Sequence, residues 1–333
     1  MTSPETIKEV LSQWSLPLKT IRTDLEIQGS PERSLYRMAV EDEAGGLFVV
    51  EQIPPERRER KQVISTILND LHADGLREIV PYLSTPAGRS LAWCDGAWWQ
   101  VVPFIAGTSM DRPRYLHDAA KGEALARFLV DLSRHAKRLS HLQEMPFFSL
   151  RDYIIRLEQD IERHAPDAAP RFAPVFQFLR RSFMEAHDTL PAAFCHGDYH
   201  PLNVIWRGDA IAAVIDWEFS GAKPALYDVA LLIGCVGIEQ PEALDGAFCQ
   251  GLLAAAGAHG LGDELSWTTL APLVIATRLA WLSEWLRSRD REMISMELAY
   301  LDLLVASLEH LGATWRRLAD SSDGVRGARW GSD

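Results

Sequence analysis

Residues 194–228 read FCHGDYHPLNVIWRGDAIAAVIDWEFSGAKPALYD. Two short apolar runs, 204–206 and 212–215, flank Arg207, Gly208 and Asp209, so this stretch is expected to form a β-hairpin. Asp198 precedes the first run and Asp216 follows the second. A hairpin of this kind holds Asn203 and Asp216 near one another at its open end, with Asp198 upstream on an irregular loop. The stretch is an island in a helical landscape. Helical periodicity predicts helices over 116–142, 150–163, 168–190, 226–236, 241–258, 267–287 and 291–318.

Toward the N-terminus the pattern changes to strands. Alternating side chains and turn residues predict strands at 22–28, 35–41, 47–53, 90–94 and 97–102, with Asp95-Gly96 as a two-residue hairpin turn. Between the third and fourth lies a helix, 56–72, with Gly75 placed as its C-terminal cap. The chain therefore reads as α+β. A small antiparallel-sheet lobe with one helix occupies 1–104, a larger and mostly helical lobe occupies 105–319, and the Ser-, Gly- and charge-rich tail 320–333 is expected to be disordered.

Composition narrows the partners. The 333 residues are 47% hydrophobic, enough for a sizeable core, and 34 basic against 46 acidic residues give a formal net charge of -12. Such a charge repels nucleic acid and anionic membrane, so neither is an expected partner. The basic run at 56–61 is interleaved with two glutamates and reads first as a solvated helix face. Cys94, Cys195, Cys235 and Cys249 are far apart and in no metal-binding pattern, so buried thiols are expected. Residues 1–10 carry no secretory signal, and the apolar runs 229–238 and 270–282 are too short to span a bilayer, which predicts a cytoplasmic protein. The sequence leaves the oligomeric state open.

The hairpin segment is dense in side chains that phosphoryl transfer uses. An amide oxygen from Asn203 and a carboxylate from Asp216 suit magnesium, which takes one or two carboxylates and fills its remaining positions with phosphate and water. Asp198 is then left to accept the proton of an attacking hydroxyl. Taken singly, Asp198 and Asn203 also read as turn formers, Asp216 as a helix cap and His196 as a core histidine; their joint spacing favours the chemistry.

The run HGDYHPLN at 196–203, followed by IDWE at 215–218, resembles the catalytic signature of aminoglycoside phosphotransferases, choline kinases and homoserine-kinase-like enzymes. The resemblance implies a two-lobed, protein-kinase-like fold and transfer of phosphate from ATP, with Mg2+, to a hydroxyl of a small molecule. It implies that Asp198 is the base, that Asn203 and Asp216 are metal ligands, and that Asp228 anchors the catalytic loop, with His196 structural. Glu218 has two readings, beside a second metal position or paired with a base such as Lys223.

The chain departs from that family in its third strand, 47–53, which has no basic residue; Glu51 falls where the family's nucleotide-gripping lysine is expected. Arg33, Arg37 or a base from 57–61, Lys61 foremost, is expected to supply the missing charge. The turn at 28–34 reads either as an ordinary hairpin turn or as a cover for phosphates, with Ser30 and Ser34 donating hydroxyl hydrogen bonds and Arg33 meeting the charge. The base of the nucleotide is expected against the backbone near Pro103, Phe104 and Ile105. Trp281, Glu284 and Trp285 lie at one-turn spacing and read either as core packing or as the wall of a substrate site for a sugar or amino alcohol. Two other functions stay open: a Ser/Thr protein kinase of the same fold, and a nucleotide-binding pseudokinase or regulatory module, which Glu51 favours.

Overall fold

A computed structural model describes residues 3–27, 34–143, 145–164, 166 and 169–320. The chain divides into two compact units, Met1–Met110 with Pro201–Ser220, and Asp111–His200 with Gly221–Asp333. The hairpin segment thus belongs with the first unit, and the loop that carries Asp198 with the second.

The first unit opens with a helix that the periodicity does not predict, α1 (Pro4–Ser12), whose N-cap Ser3 accepts the Thr6 N–H. Then come β1 (Leu18–Ile21), β2 (Tyr36–Asp42), β3 (Leu47–Ile53), α2 (Arg58–Ala73), β4 (Leu91–Cys94) and β5 (Ala97–Pro103). They form an antiparallel sheet in the order β1-β2-β3-β5-β4. The first strand lies earlier than the predicted 22–28; Arg22, just past its end, pairs with Asp24 and with Glu41 of β2. Side chains alternate between the two faces of each strand. On one face Met38, Val40, Val50, Trp99 and Val101 pack with Ile7, Val10, Leu11 and Trp14 from α1 and the turn after it. The opposite face carries Arg37 and Ala39 on β2, Val49 and Glu51 on β3, and Gln100 and Val102 on β5. Register aligns these into two rows, Arg37 opposite Glu51 opposite Gln100, and Ala39 opposite Val49 opposite Val102.

The second unit supplies α3 (Ala119–Arg138), α4 (Leu150–His164), α5 (Ala169–Ser182) and the strand β6 (Ala192–Cys195). The hairpin of the first unit follows as β7 (Val204–Arg207) and β8 (Ala210–Val214). The chain then returns to the second unit through β9 (Gly221–Pro224), α6 (Tyr227–Glu239), α7 (Ala247–Ala258), α8 (Leu270–Ser288) and α9 (Arg291–Asp320). The predicted helix over 168–190 ends at Ser182 and a separate turn, Met184–His187, follows it. Helix α6 is buried from Tyr227 to Gly237, as a helix apolar on all sides must be. Helices α3 and α7 meet at two glycines. A Cβ on Gly122 would lie 2.1 Å from the Phe248 carbonyl oxygen, and one on Gly251 2.0 Å from that of Ala119. All four cysteines are free and buried. Among the described residues no helix is long and apolar enough to cross a membrane.

Candidate functional site

The loop after β6 is held by one carboxylate. β6 pairs with β9, and α6 begins three residues after β9, which puts Asp228 in the first turn of a buried helix. Its Oδ2 accepts the His196 N–H at 2.7 Å and its Oδ1 accepts the Gly197 N–H at 2.8 Å. Burial pushes the Asp228 carboxyl up from 3.8 to about 6, although the two N–H groups and Lys223 pull it down. The Asp198 N–H donates to His196 Nδ1 at 3.2 Å. Tyr199 is fully buried and stacks on Phe128 with ring centroids 5.5 Å apart. Backbone bonds and packing therefore fix the residues on both sides of Asp198, whose own carboxylate keeps 14% exposure.

From Asp198 a row of side chains runs to helix α8. His200 Nε2 lies 3.7 Å from Asp198 Oδ1. The His200 ring meets Trp281 edge-on at 5.9 Å, and Trp281 stacks on Trp285 at 5.9 Å. Trp285 Nε1 is buried and has no hydrogen-bond partner among the described residues, which is costly for an indole N–H unless a ligand meets it. Glu284 faces outward in an ion pair with Arg287. Of the three residues proposed for a substrate wall, the structure sets the two tryptophans in line with Asp198 and turns the glutamate to Arg287.

In the first unit, the hairpin β7–β8 closes where Ile215 N–H donates to the Asn203 carbonyl at 3.0 Å. This brings Asn203 and Asp216 to one end of it. Asn203 is buried, and Asp216 is left-handed, with φ 64° and ψ 54°. A non-glycine residue in that region costs free energy and persists where its surroundings hold it. Asp216 lines a cleft in the sheet's inner face, together with Val49, Val102, Pro103, Phe104 and Ile105 on the apolar side and Arg37, Glu51 and Tyr82 on the polar side. Among the described residues no three His, Cys, Asp or Glu side chains converge on a metal position. Asn203 and Asp216 offer one amide and one carboxylate oxygen, a donor pair compatible with magnesium that takes its other ligands from phosphate and water.

The predicted nucleotide residues separate into distinct settings. Ser30 and Arg33 lie outside the described residues. Ser34 is half-buried just before β2. Glu51 is nearly buried, its Oε1 2.9 Å from Arg37 Nε and its Oε2 accepting from Gln100 Nε2. Lys61 is buried in α2 and ion-paired with Glu218. Burial lowers the Lys61 pKa, but Tyr82, Glu51 and Glu218 outweigh it and leave the ammonium raised. Tyr82 is pushed up to about 12, first by burial. Glu218 thus has Lys61 as its partner and not Lys223, whose ammonium sits 4.8 Å from the Phe148 ring centroid. Arg60, beside Lys61, donates to the carbonyls of Glu218 and Ser220. Four charges consequently alternate through this unit: Arg37, Glu51, Lys61 and Glu218. Gln100 and Tyr82 are additions that composition and motif do not reveal; side-chain alternation together with strand register would have placed Gln100 beside Glu51.

A family model described as the phosphotransferase enzyme family matches residues 31–265. A homoserine kinase of Methylobacillus flagellatus is 30% identical over 156 residues, 46% of this chain and 46% of that protein. A homoserine kinase of a Methylobacterium species is 30% identical over 186 residues, 55% of this chain and 54% of that protein. The chain thus spans about half the length of the curated relatives it matches. Among solved structures, an amicoumacin kinase in complex with AMP-PNP, Ca2+ and Ami superposes with a TM-score of 0.62 at 11% identity, over 97% of this chain and 94% of that one. A likeness at that identity establishes the fold, a small antiparallel sheet joined to a mostly helical remainder.

Proposed function

The chain belongs to the phosphotransferase enzyme family, and from that premise we propose that it transfers the terminal phosphate of ATP, with Mg2+, to a hydroxyl group of a small molecule in the cytoplasm. The observation that carries this reading is the loop of residues 196–198, tied at both its first N–H groups to the buried Asp228 so that Asp198 stands at its end. In this reading Asp198 accepts a hydrogen bond from the acceptor hydroxyl and takes its proton as the oxygen attacks. Asn203 and Asp216 hold magnesium, which when bound neutralises charge on the phosphates. The apolar side of the cleft, Val49 with Val102 to Ile105, receives the base of the nucleotide, largely through backbone groups.

Acceptor recognition falls to the row from His200 to Trp285. Two stacked indoles offer faces to the C–H groups or the amine of an amino alcohol or sugar, and the buried Trp285 N–H offers a donor to its oxygen. An amino alcohol of the homoserine type is the first choice, since the curated relatives named above are homoserine kinases. Purified protein with Mg-ATP, screened against homoserine, other amino alcohols, sugars and aminoglycosides, should release ADP in an acceptor-dependent manner with one of these classes. Glu51 in the third strand favours a second reading, a nucleotide-binding module without transfer. The same screen separates the two, because that module releases no ADP with any acceptor.

A further inference from the structure

Resting on that reading of the cleft as a nucleotide site, we propose that Arg37 on β2 is the cation that meets the nucleotide phosphates, and that Glu51 on β3 is its positioning residue. The cleft face of the sheet is ordered in rows. Ala39, Val49 and Val102 form an apolar row that leads to Pro103, Phe104 and Ile105, while Arg37, Glu51 and Gln100 form a charged row two residues, about 7 Å, further along the strands. A nucleotide has the same polarity, a flat apolar base at one end and anionic phosphates at the other. With its base on the apolar row, its phosphates reach the charged one, in the cleft that Asp216 also lines.

Within that row only Arg37 can answer phosphate. Glu51 is an anion, and its two oxygens are engaged, Oε1 by Arg37 and Oε2 by Gln100. Arg37 is also the one basic residue among the described residues that line the cleft. Of the helix bases, Lys61 pairs with Glu218, and Arg60 donates to the Glu218 and Ser220 carbonyls, so both secure the segment that follows Asp216. Glu51 Oε1 lies 2.9 Å from Arg37 Nε, an ion pair that keeps the guanidinium beside the carboxylate. A guanidinium can present paired N–H groups to phosphate oxygens, a geometry that a lysine ammonium cannot reproduce. The strand that would carry a lysine carries the carboxylate that aims an arginine from its neighbour. The pair's side chains are 15% and 10% exposed, so both ions have given up most of their hydration, a cost that an anionic ligand at the guanidinium would offset.

The experiment is a ladder of ligands measured by calorimetry on the full chain: adenosine, ADP and ATP with magnesium, for the wild type and for Arg37→Met, Arg37→Lys and Glu51→Gln. The wild type should gain affinity at each added phosphate. Arg37→Met should weaken ATP tenfold or more and leave adenosine unchanged, Arg37→Lys should recover only part of the loss, and Glu51→Gln should weaken ATP about threefold to tenfold with adenosine again unchanged. Equal losses for adenosine and ATP, or none for either, would make the pair a structural bridge between β2 and β3 and overturn the proposal. Circular dichroism of each variant identifies misfolding; should Arg37→Met misfold, the lysine and glutamine variants decide by the same ladder. A wild type that binds none of the three ligands would refute the nucleotide site itself, an outcome distinct from failure of the Arg37 assignment.

Discussion

Around Asp198 the backbone is held by N–H groups converging on the single carboxylate of Asp228, whereas the polar end of the cleft is held by side-chain charges from β2, β3, α2 and the turn after Asp216. The first arrangement is local. Asp228 lies in the first turn of a buried helix, and every group it binds belongs to one loop. The second is distributed, and each charge depends on the strand or helix beside it keeping register. Under the proposed function, the difference follows from what each region would handle. A base needs one atom at one position, while a triphosphate needs positive charge spread along several oxygens.

This contrast can be broken at its most sensitive point. Asp198→Asn is nearly isosteric and leaves the backbone bonds of the loop untouched, so folding and ATP affinity should persist while kcat falls by roughly 10²–10⁴. Steady-state kinetics on the acceptor found in the screen would check it; a variant with undiminished kcat would remove Asp198 from the chemistry.

In the distributed half, the expected losses are in stability. Lys61→Met leaves Glu218 buried without its partner and should cost about 3 kcal/mol in urea unfolding. The double variant Lys61→Met, Glu218→Gln should recover most of that, and a double variant no better than the single one would mean that the two charges do not act as a pair.

The local half makes a smaller, pH-dependent prediction. Burial raises the folded Asp228 pKa to about 6 from 3.8, so between those values the folded protein binds a proton more tightly than the unfolded chain does. Stability from this group is therefore present below about pH 4 and lost as pH rises through about 6. Asp228→Asn, although less stable overall, should lose that slope; melting temperatures recorded across the interval that run parallel in both proteins would contradict the assignment.

The two regions also differ in how they can be read from the chain alone. The local half is written in consecutive residues: the spacing of Asp198, Asn203 and Asp216 and the turn at Arg207-Gly208-Asp209 place the hairpin and its ends. Strands β3 and β5 are equally plain, because alternation and Asp95-Gly96 mark them. The distributed half is not consecutive. Arg37, Glu51 and Gln100 meet only through two strand registers, and Lys61 reaches Glu218 only once α2 is packed beside the turn that follows Asp216. Helix α1 escapes a periodicity search because it is short, although Ser3 and Pro4 carry the signal of a helix start. The pairing of Glu218 goes to Lys61 over Lys223 for the same reason, since the choice between two lysines is made by tertiary packing.

Phosphorus NMR of the wild-type protein with Mg-ATP and homoserine, followed by the other acceptors of the screen, decides whether the chain transfers phosphate. A new phosphomonoester resonance is expected that grows in step with ADP for one acceptor class and is lost in Asp198→Asn. Nucleotide that binds while ATP stays intact with every acceptor, or ADP that accumulates only with inorganic phosphate, would contradict it.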